Sequence, residues 1–502
     1  MAKANYLLNL IQRTKYSPQK ALFSSDISFT FAEIYQMAYA LACQLEQYEL
    51  KRGDKVVIQS NNQLILITLF YATQLLDLVY IPIDVHYPKD IVMDILDRTH
   101  AKIYIGSSLD QKKTIVHLSE SEINYKRQEG ILSISAERKA DEMSVILYTS
   151  GSTGKPKGVM LSNNNLFKSA KIVFENYQWT TKDKILNLAP IHTVSGIRNS
   201  FIVPLLSESS FIYLDYSKQA SFLEIIDIIY RLKATILLTS PVLIKQINLF
   251  KHKISSDKFQ SLRYIMSTGN WLSVEMAKTF SKHFSVPIYN YYGLTETTGI
   301  CIGQTPKHST DIPQSIGFPL SCEIKIDTSV DDHFDRSQIG VLKIRGNNML
   351  GYYKEQELTQ KVIDKEGWFK TMDLAGLNPD GSVNLYGRYD DAFNNEYTEL
   401  VFPQEIETII LEFSYISQCC VFDYTTLNGI IKIGAAITLK ENLFDTHHIL
   451  KSINQKIRDK LSPTKTLSRI WIVSSLPVGN YGKINRKKLK QELIDNGQST
   501  PY

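Results

Sequence analysis

From Phe31 to Tyr48 the chain reads FAEIYQMAYALACQLEQY, with apolar residues at helical spacing, the pattern of a helix that lays one face on a core. Lys55 to Ile58 and Val79 to Ile83 are instead short apolar runs of strand length. Between them, the stretch from Leu64 to Ile83 contains Gln74, Asp77 and Pro82, which predicts a buried helix running into a strand rather than a membrane span. This alternation over residues 1 to about 140 points to parallel α/β units. Val145-Ile146-Leu147-Tyr148 predicts a further strand, and the apolar positions Val159, Leu161 and Leu166 permit a helix after it, giving a strand, loop, helix order. Ala234 to Ser240 (ATILLTS) reads as a buried strand stopped by Pro241. From Gly340 the run GVLKIRGNNMLGYY is a strand pattern broken by glycines, as in a small β-rich subdomain, and Asp380-Gly381 predicts a hairpin turn.

Length changes this picture by allowing two or three domains, since the chain has 502 residues. With 43% hydrophobic and 21% charged residues the composition is that of an ordinary globular protein. A formal charge of +5 is small for the length, so neither a nucleic-acid nor a membrane partner is implied. Part of the basic excess lies in Lys483 to Lys490 (KINRKKLK), a run expected to be mostly solvated. Five cysteines without metal-ligand spacing fit a reducing compartment, and the apolar segment near the N-terminus is too short for a signal peptide, so a cytoplasmic location is expected. Cys419 and Cys420, inside an apolar run, are expected to be packed rather than reactive.

The chemistry concentrates in Tyr148 to Gly158, YTSGSTGKPKG. Thr149, Ser150, Gly151, Ser152, Thr153 and Gly154 carry almost no side-chain bulk, so their N–H groups can close around phosphate oxygens, with Lys155 and Lys157 beside them. The spacing is not that of GxxxxGK[ST]. Further motifs follow in order: NLAPIHTVSG (Asn187 to Gly196), RYIMSTGNWL (Arg263 to Leu272), NYYGLTE (Asn290 to Glu296), WFKTMD (Trp368 to Asp373), Tyr-Gly-Arg ending at Arg388, and LPVGNYGKINR (Leu476 to Arg486).

This ordered set resembles the adenylate-forming superfamily of acyl-CoA synthetases, luciferases and peptide-synthetase adenylation domains, over nearly the whole chain. The resemblance implies an α/β protein in which a large N-terminal domain (1–389) of α/β sheet subdomains plus a small β-rich subdomain is joined, through a hinge at Asp390, to a small mobile α+β C-terminal domain (391–502). It implies that ATP and Mg²⁺ are bound, that a carboxylic acid is converted to an acyl-adenylate with release of pyrophosphate, and that the acyl group passes to coenzyme A or to the phosphopantetheine of an acyl or peptidyl carrier protein. Tyr292 would stack on adenine and Asn290 read its edge, with Tyr291, Gly293 and the turn at Gly269 beside them. Thr295 would meet the α-phosphate and Glu296 the metal, a hard oxygen ligand suiting Mg²⁺. Asp373 would hold the ribose diol, two oxygens facing two hydroxyls. Arg388 would contact ribose or phosphate unless it is simply a surface ion pair. Lys483 would be the catalytic lysine, acting on the carboxylate and the α-phosphate. His192, as a pocket wall, together with Thr193, Val194, Gly196, Thr239, Ser240 and Met266 to Thr268, would line the acid site. Val194 stands where amino-acid-activating relatives carry aspartate, and no obvious charged partner appears, which favours an apolar or aryl tail over a zwitterion.

Two positions depart from the pattern. Met372 replaces a customary glycine before Asp373, and in DDAFNNEYTELVFPQEIE (Asp390 to Glu407) Tyr397 or Thr398 stands where a glycine-containing loop normally approaches the acceptor arm. An amide ligase, in which an amine captures the adenylate, and a non-catalytic AMP- or ATP-binding regulatory protein are therefore the alternatives.

Overall fold

The computed structural model describes residues 5–109, 115–126, 139–149, 156–214, 220–270, 272–312, 315–330, 339–413, 415–426, 428–440, 446–477 and 484–495. These fall into two compact units, one built from residues up to 323 together with 344–369, the other from 324–343 and from 370 onward.

In the first unit, the expected helix spans Phe31–Glu46 and begins because Thr30 and Glu33 form a reciprocal cap: Glu33 N donates to Thr30 Oγ1 (3.2 Å) and Thr30 N to the Glu33 carboxylate (2.7 Å). The apolar stretch after it forms the helix Gln63–Leu75, buried on almost every side, and then the strand Val79–Pro82. A seven-stranded sheet runs Gly351–Tyr352, Lys157–Ser162, Met143–Thr149, Val79–Pro82, Lys55–Ile58, Ile103–Ile105, Val116–Leu118. Its neighbours are parallel from Met143–Thr149 onward and antiparallel before it.

The segment after the small-residue loop corrects one expectation. Lys157–Ser162 is a strand paired antiparallel with Met143–Thr149, and the helix Asn163–Tyr177 starts only beyond it, capped by Ser162 Oγ on Asn165 N (3.1 Å). Val159 and Leu161 are both fully buried and two apart, the period of a strand. The residues on either side of the loop therefore belong to two paired antiparallel strands.

A nine-stranded sheet runs Phe318–Pro319, Gly299–Gly303, Ile288–Leu294, Tyr264–Ser267, Ile236–Thr239, Lys184–Asn187, Ser210–Ile212, Lys20–Phe23, Ser28–Thr30. The five strands from Ile288–Leu294 to Ser210–Ile212 are parallel, with Thr239, Ser267 and Asn290 side by side in register. Their carboxyl ends form the edge at which open α/β sheets take ligands. Pro241 opens the next helix, Pro241–Leu249, as its position after Ser240 requires.

The second unit holds most of a four-stranded sheet, Glu323–Asp327, Gly340–Arg345, Phe369–Leu377, Val383–Arg388. The turn joining the last two strands has Gly381 at φ +83° and Ser382 N on Asp380 Oδ1 (2.9 Å), as the sequence predicts. A separate α+β core follows, in which the strands Ile416–Thr425, Ile431–Leu439 and Arg469–Ile472 and the helix Pro403–Ile410 pack around Ile406, Val421, Ile437 and Ile453. Cys419 and Cys420 lie buried there, and burial pushes the Cys420 thiol up to about 12, so it is packed and protonated. The fold is mixed α/β, and no helix among the described residues is long and apolar enough to cross a membrane.

Candidate active site

Within the first unit, Thr149 and Lys157 are paired directly across the hairpin mouth; Ser150, Gly151, Ser152, Thr153, Gly154 and Lys155 lie outside the described residues. The strand Lys157–Ser162 also pairs with Gly351–Tyr352, which brings the Tyr352 ring within 5.8 Å of Lys157 Nζ. The Tyr352 hydroxyl in turn donates to Glu296 Oε1 (2.9 Å). Three distant stretches of sequence thus meet at one carboxylate, which is only half-buried. That carboxylate fits a hard cation. Among the described residues no group of three His, Cys, Asp or Glu that could hold a metal ion gathers at one place.

Glu296 sits on a tight corner, the turn Thr295–Thr297 between the strands Ile288–Leu294 and Gly299–Gly303. Thr297 Oγ1 closes it by accepting from Leu294 N (2.9 Å) and donating to Gly299 O (2.9 Å). Only glycine fits at 293: a Cβ there would lie 1.8 Å from Gly299 O. Alternation along the strand sends Tyr292 and Tyr291 to opposite faces. Tyr292, the expected adenine platform, is half-exposed, whereas Tyr291, also expected among the nucleotide contacts, turns inward and is buried. Asn290 is buried at the carboxyl edge beside Ser267, and Gly269 follows that edge at φ +88° with open space where a Cβ would be.

On the same edge, Thr193 Oγ1 accepts from Gly196 N (3.1 Å), which starts the helix Val194–Ile197 and makes Thr193 a cap. Gly196 packs so tightly that a Cβ would stand 2.2 Å from Pro190 O. His192 Nε2 lies 3.8 Å from Asp84 Oδ2. Burial pushes the imidazole below its ordinary value against the pull of Asp84, so the ring is neutral at pH 7. Asp84, in the IPIDVHYP stretch, was not legible as a site residue; its signal was a carboxylate at the end of a buried parallel strand. Thr239 and Thr268 join neighbouring strand ends through Thr268 N to Thr239 O (3.1 Å), and Ser240 precedes the helix at Pro241 without capping it.

Sequence reasoning also missed Arg198. It directly follows the Val194–Ile197 turn, is fully buried, and contributes a charge where none was expected.

In the second unit, Asp373 is buried and pairs in register with Arg388, whose Nη1 donates to Asp373 Oδ1 (3.0 Å) and to Thr371 O (3.1 Å). Arg388 thus has an ion pair with the residue expected to hold the ribose. Met372 holds the left-handed conformation, φ +62°, that the customary glycine would adopt. Asp390 lies in the turn Tyr389–Asp391. Its neighbour Asp391 pairs with Arg486 Nη1 (2.7 Å), which also meets Glu407 Oε1 through Nη2 (2.5 Å) and Val421 O through Nε (2.7 Å). Lys483 lies outside the described residues, but Asn485 N donates to Pro477 O (2.8 Å) and so joins the two ends of the segment that carries it. In the departing loop, Asn395 Oδ1 accepts from Tyr397 N and Glu399 N (3.0 Å each), Tyr397 is 60% exposed, and Thr398 stands at φ +59°.

Residues 11–353 match the AMP-binding enzyme family, and residues 405–483 match the AMP-binding enzyme C-terminal domain. The chain belongs to the AMP-binding enzyme family. This AMP-binding enzyme is thereby a member of the adenylate-forming superfamily and an AMP-forming ligase. It is 26% identical over 412 residues to a 2-succinylbenzoate–CoA ligase of Bacillus velezensis, covering 80% of this chain and 82% of that one. It is 24% identical over 503 residues to an oxalate–CoA ligase of Arabidopsis thaliana, covering 96% and 97%. Among solved structures, o-succinylbenzoate coenzyme A synthetase from Bacillus subtilis in complex with AMP superposes with a TM-score of 0.85 at 22% identity, covering 98% of both chains.

Proposed function

We propose that this AMP-binding enzyme activates a small carboxylic acid with ATP, forming an acyl-adenylate and pyrophosphate, and then transfers the acyl group to the thiol of coenzyme A. The single observation that carries the reading is the Glu296 carboxylate, held by the Tyr352 hydroxyl beside Lys157 on the exit strand of the small-residue loop. Two anions must approach for the carboxylate to attack the α-phosphate, so the barrier is largely electrostatic. Lys157, the loop N–H groups of 150–155 and Lys483 supply positive charge or N–H donors for it, and Thr295 a hydroxyl. When bound, Mg²⁺ adds Lewis-acid stabilisation of phosphate charge, with Glu296 as its protein ligand. Tyr292 and Asn290 are the residues for the adenine and Asp373 that for the ribose, with Arg388, paired to Asp373, as the further contact to ribose or phosphate. His192, Val194, Thr239, Ser240 and Thr268 border the acid, and neutral His192 admits a carboxylate without trapping it as an ion pair.

The domain reading keeps 1–389 as the catalytic body and 391–502 as a lid turning at Asp390, and the compartment is the cytoplasm. A carrier-protein phosphopantetheine is the second acceptor to test. Relatives named for 2-succinylbenzoate and oxalate support a carboxylic acid substrate with coenzyme A as acceptor.

Pyrophosphate release across a panel of acids tests the first step, and adding coenzyme A, carrier protein or amines then identifies the acceptor. Glu296→Gln is expected to slow release by about 10² to 10³. Lys483→Ala is expected to abolish it while sparing ATP binding more; unchanged release would remove Lys483 from the mechanism.

A further inference from the structure

Arg198 is fully buried, and among the described residues its side-chain hydrogen bonds all go to neutral groups. Nε donates to Asn199 Oδ1 (2.9 Å), Nη2 to the Tyr291 hydroxyl (3.3 Å) and Nη1 to Ser169 Oγ (3.4 Å), and the guanidinium lies 5.6 Å from the Tyr291 ring. Among the described residues no carboxylate reaches it. A guanidinium has five N–H donors and does not deprotonate in proteins, so, unlike a buried lysine or histidine, it cannot shed its charge to escape the cost of burial. Its neighbour Asn199 has a deficit of its own: the amide oxygen is used by Arg198, while Nδ2 is buried without an acceptor among the described residues. The pair thus joins an amide nitrogen with no acceptor to a guanidinium whose partners there are all neutral.

Their place in the fold says what the acceptor belongs to. Arg198 and Asn199 open a π-helical turn, Arg198–Ile202, directly after the Val194–Ile197 helix that borders the acid site, and such turns recur at functional sites. The Arg198 guanidinium lies against Gly299, where a Cβ would come within 2.5 Å of Nη1 and 3.3 Å of Val194 Cγ1. Tyr291, which bonds it, also approaches Ser195 Oγ (3.4 Å).

We infer that the acid carries a second carboxylate, remote from the one that is adenylated, and that Arg198 and Asn199 receive it with the Tyr291 hydroxyl alongside. The substrate class is then a dicarboxylic acid, and Arg198 is a specificity-determining residue rather than a catalytic one. This rests on the ligase reading above.

The test is pyrophosphate release by the full chain with matched pairs, straight-chain monoacids against diacids of equal length and benzoate against its ring-carboxylated forms. A diacid preference in kcat/KM of about 10² or more is expected, because a buried site left with unpaired donors rejects the analogue lacking the group. Arg198→Met should collapse that ratio toward one and Arg198→Lys should restore it in part, each variant being checked for folding by its thermal melt. Equal use of both series by the wild type, or a diacid preference that survives Arg198→Met, overturns the inference and leaves the ligase reading intact. If the methionine variant does not fold, the wild-type ratio decides alone. No release with any acid overturns the ligase reading and the inference with it.

Discussion

Gly293 and Gly196 in the first unit contrast with Met372 and Thr398 in the second, where Met372, and Tyr397 or Thr398, stand for expected glycines. At Gly293 and Gly196 the constraint is space, since a Cβ would sit 1.8 Å and 2.2 Å from backbone oxygens of neighbouring segments. At Met372 and Thr398 the constraint is the dihedral angle, φ +62° and +59°, and the non-glycine residues still adopt it. A side chain can be forced into the left-handed region for roughly 1–2 kcal/mol, whereas two backbones cannot interpenetrate at any modest cost. The first kind of glycine is irreplaceable and the second is replaceable at a fixed strain.

The sharpest way to break this contrast is Gly293→Ala, expected to cost about 3 kcal/mol or more, or to displace the Thr295–Thr297 turn and with it Glu296. Chemical denaturation and pyrophosphate release read the two effects, and a neutral result at both would show that the corner yields. Next in size, Thr398→Gly should stabilise the second unit by about 1 kcal/mol, more than Met372→Gly does, because Thr398 is β-branched. If side-chain bulk in that loop limits thiol access, thioester formation should also rise with adenylation unchanged. Loss of stability in Thr398→Gly would mean that its side chain contributes more than its φ costs. The smallest effect concerns His192, whose environment includes Asp84 and His86. Its folded-state pKa is depressed, so the unfolded chain takes up the proton first, and stability should fall as pH drops below about 6.5, the ordinary value for histidine. The melting temperature of His192→Gln should lose part of that acid slope, and identical slopes would take His192 out of the account.

Much of this was readable before any coordinates. The buried helix Gln63–Leu75 and the strand after it were legible in the apolar stretch Leu64 to Ile83 with its Gln74, Asp77 and Pro82, whereas the corner carrying Glu296 was not read from YGLTE. The strand Lys157–Ser162 was misread because Val159, Leu161 and Leu166 fit two periods at once, and only the antiparallel pairing with Met143–Thr149 selects between them. Arg198 escaped notice for a different reason. A lone basic residue between Ile197 and Asn199 carries no spacing signal, and its meaning appears only when Tyr291 and Ser169 are found around it with no carboxylate among them. Tyr291 and Tyr292 are adjacent and chemically alike in the sequence, and strand alternation alone assigns them to different faces. The motif offers Arg388 as a ribose or phosphate contact or as an ion pair, and the register that sets it opposite Asp373 was not legible there.

The Arg486 guanidinium ties three separate stretches of the second unit together, meeting Asp391 through Nη1, Glu407 through Nη2 and the Val421 carbonyl through Nε. A single cation thus keeps two carboxylates from separate parts of the sequence side by side. Arg486→Ala would leave that pair of like charges facing each other with their shared counter-charge gone, so the penalty would come from what remains as much as from what was lost.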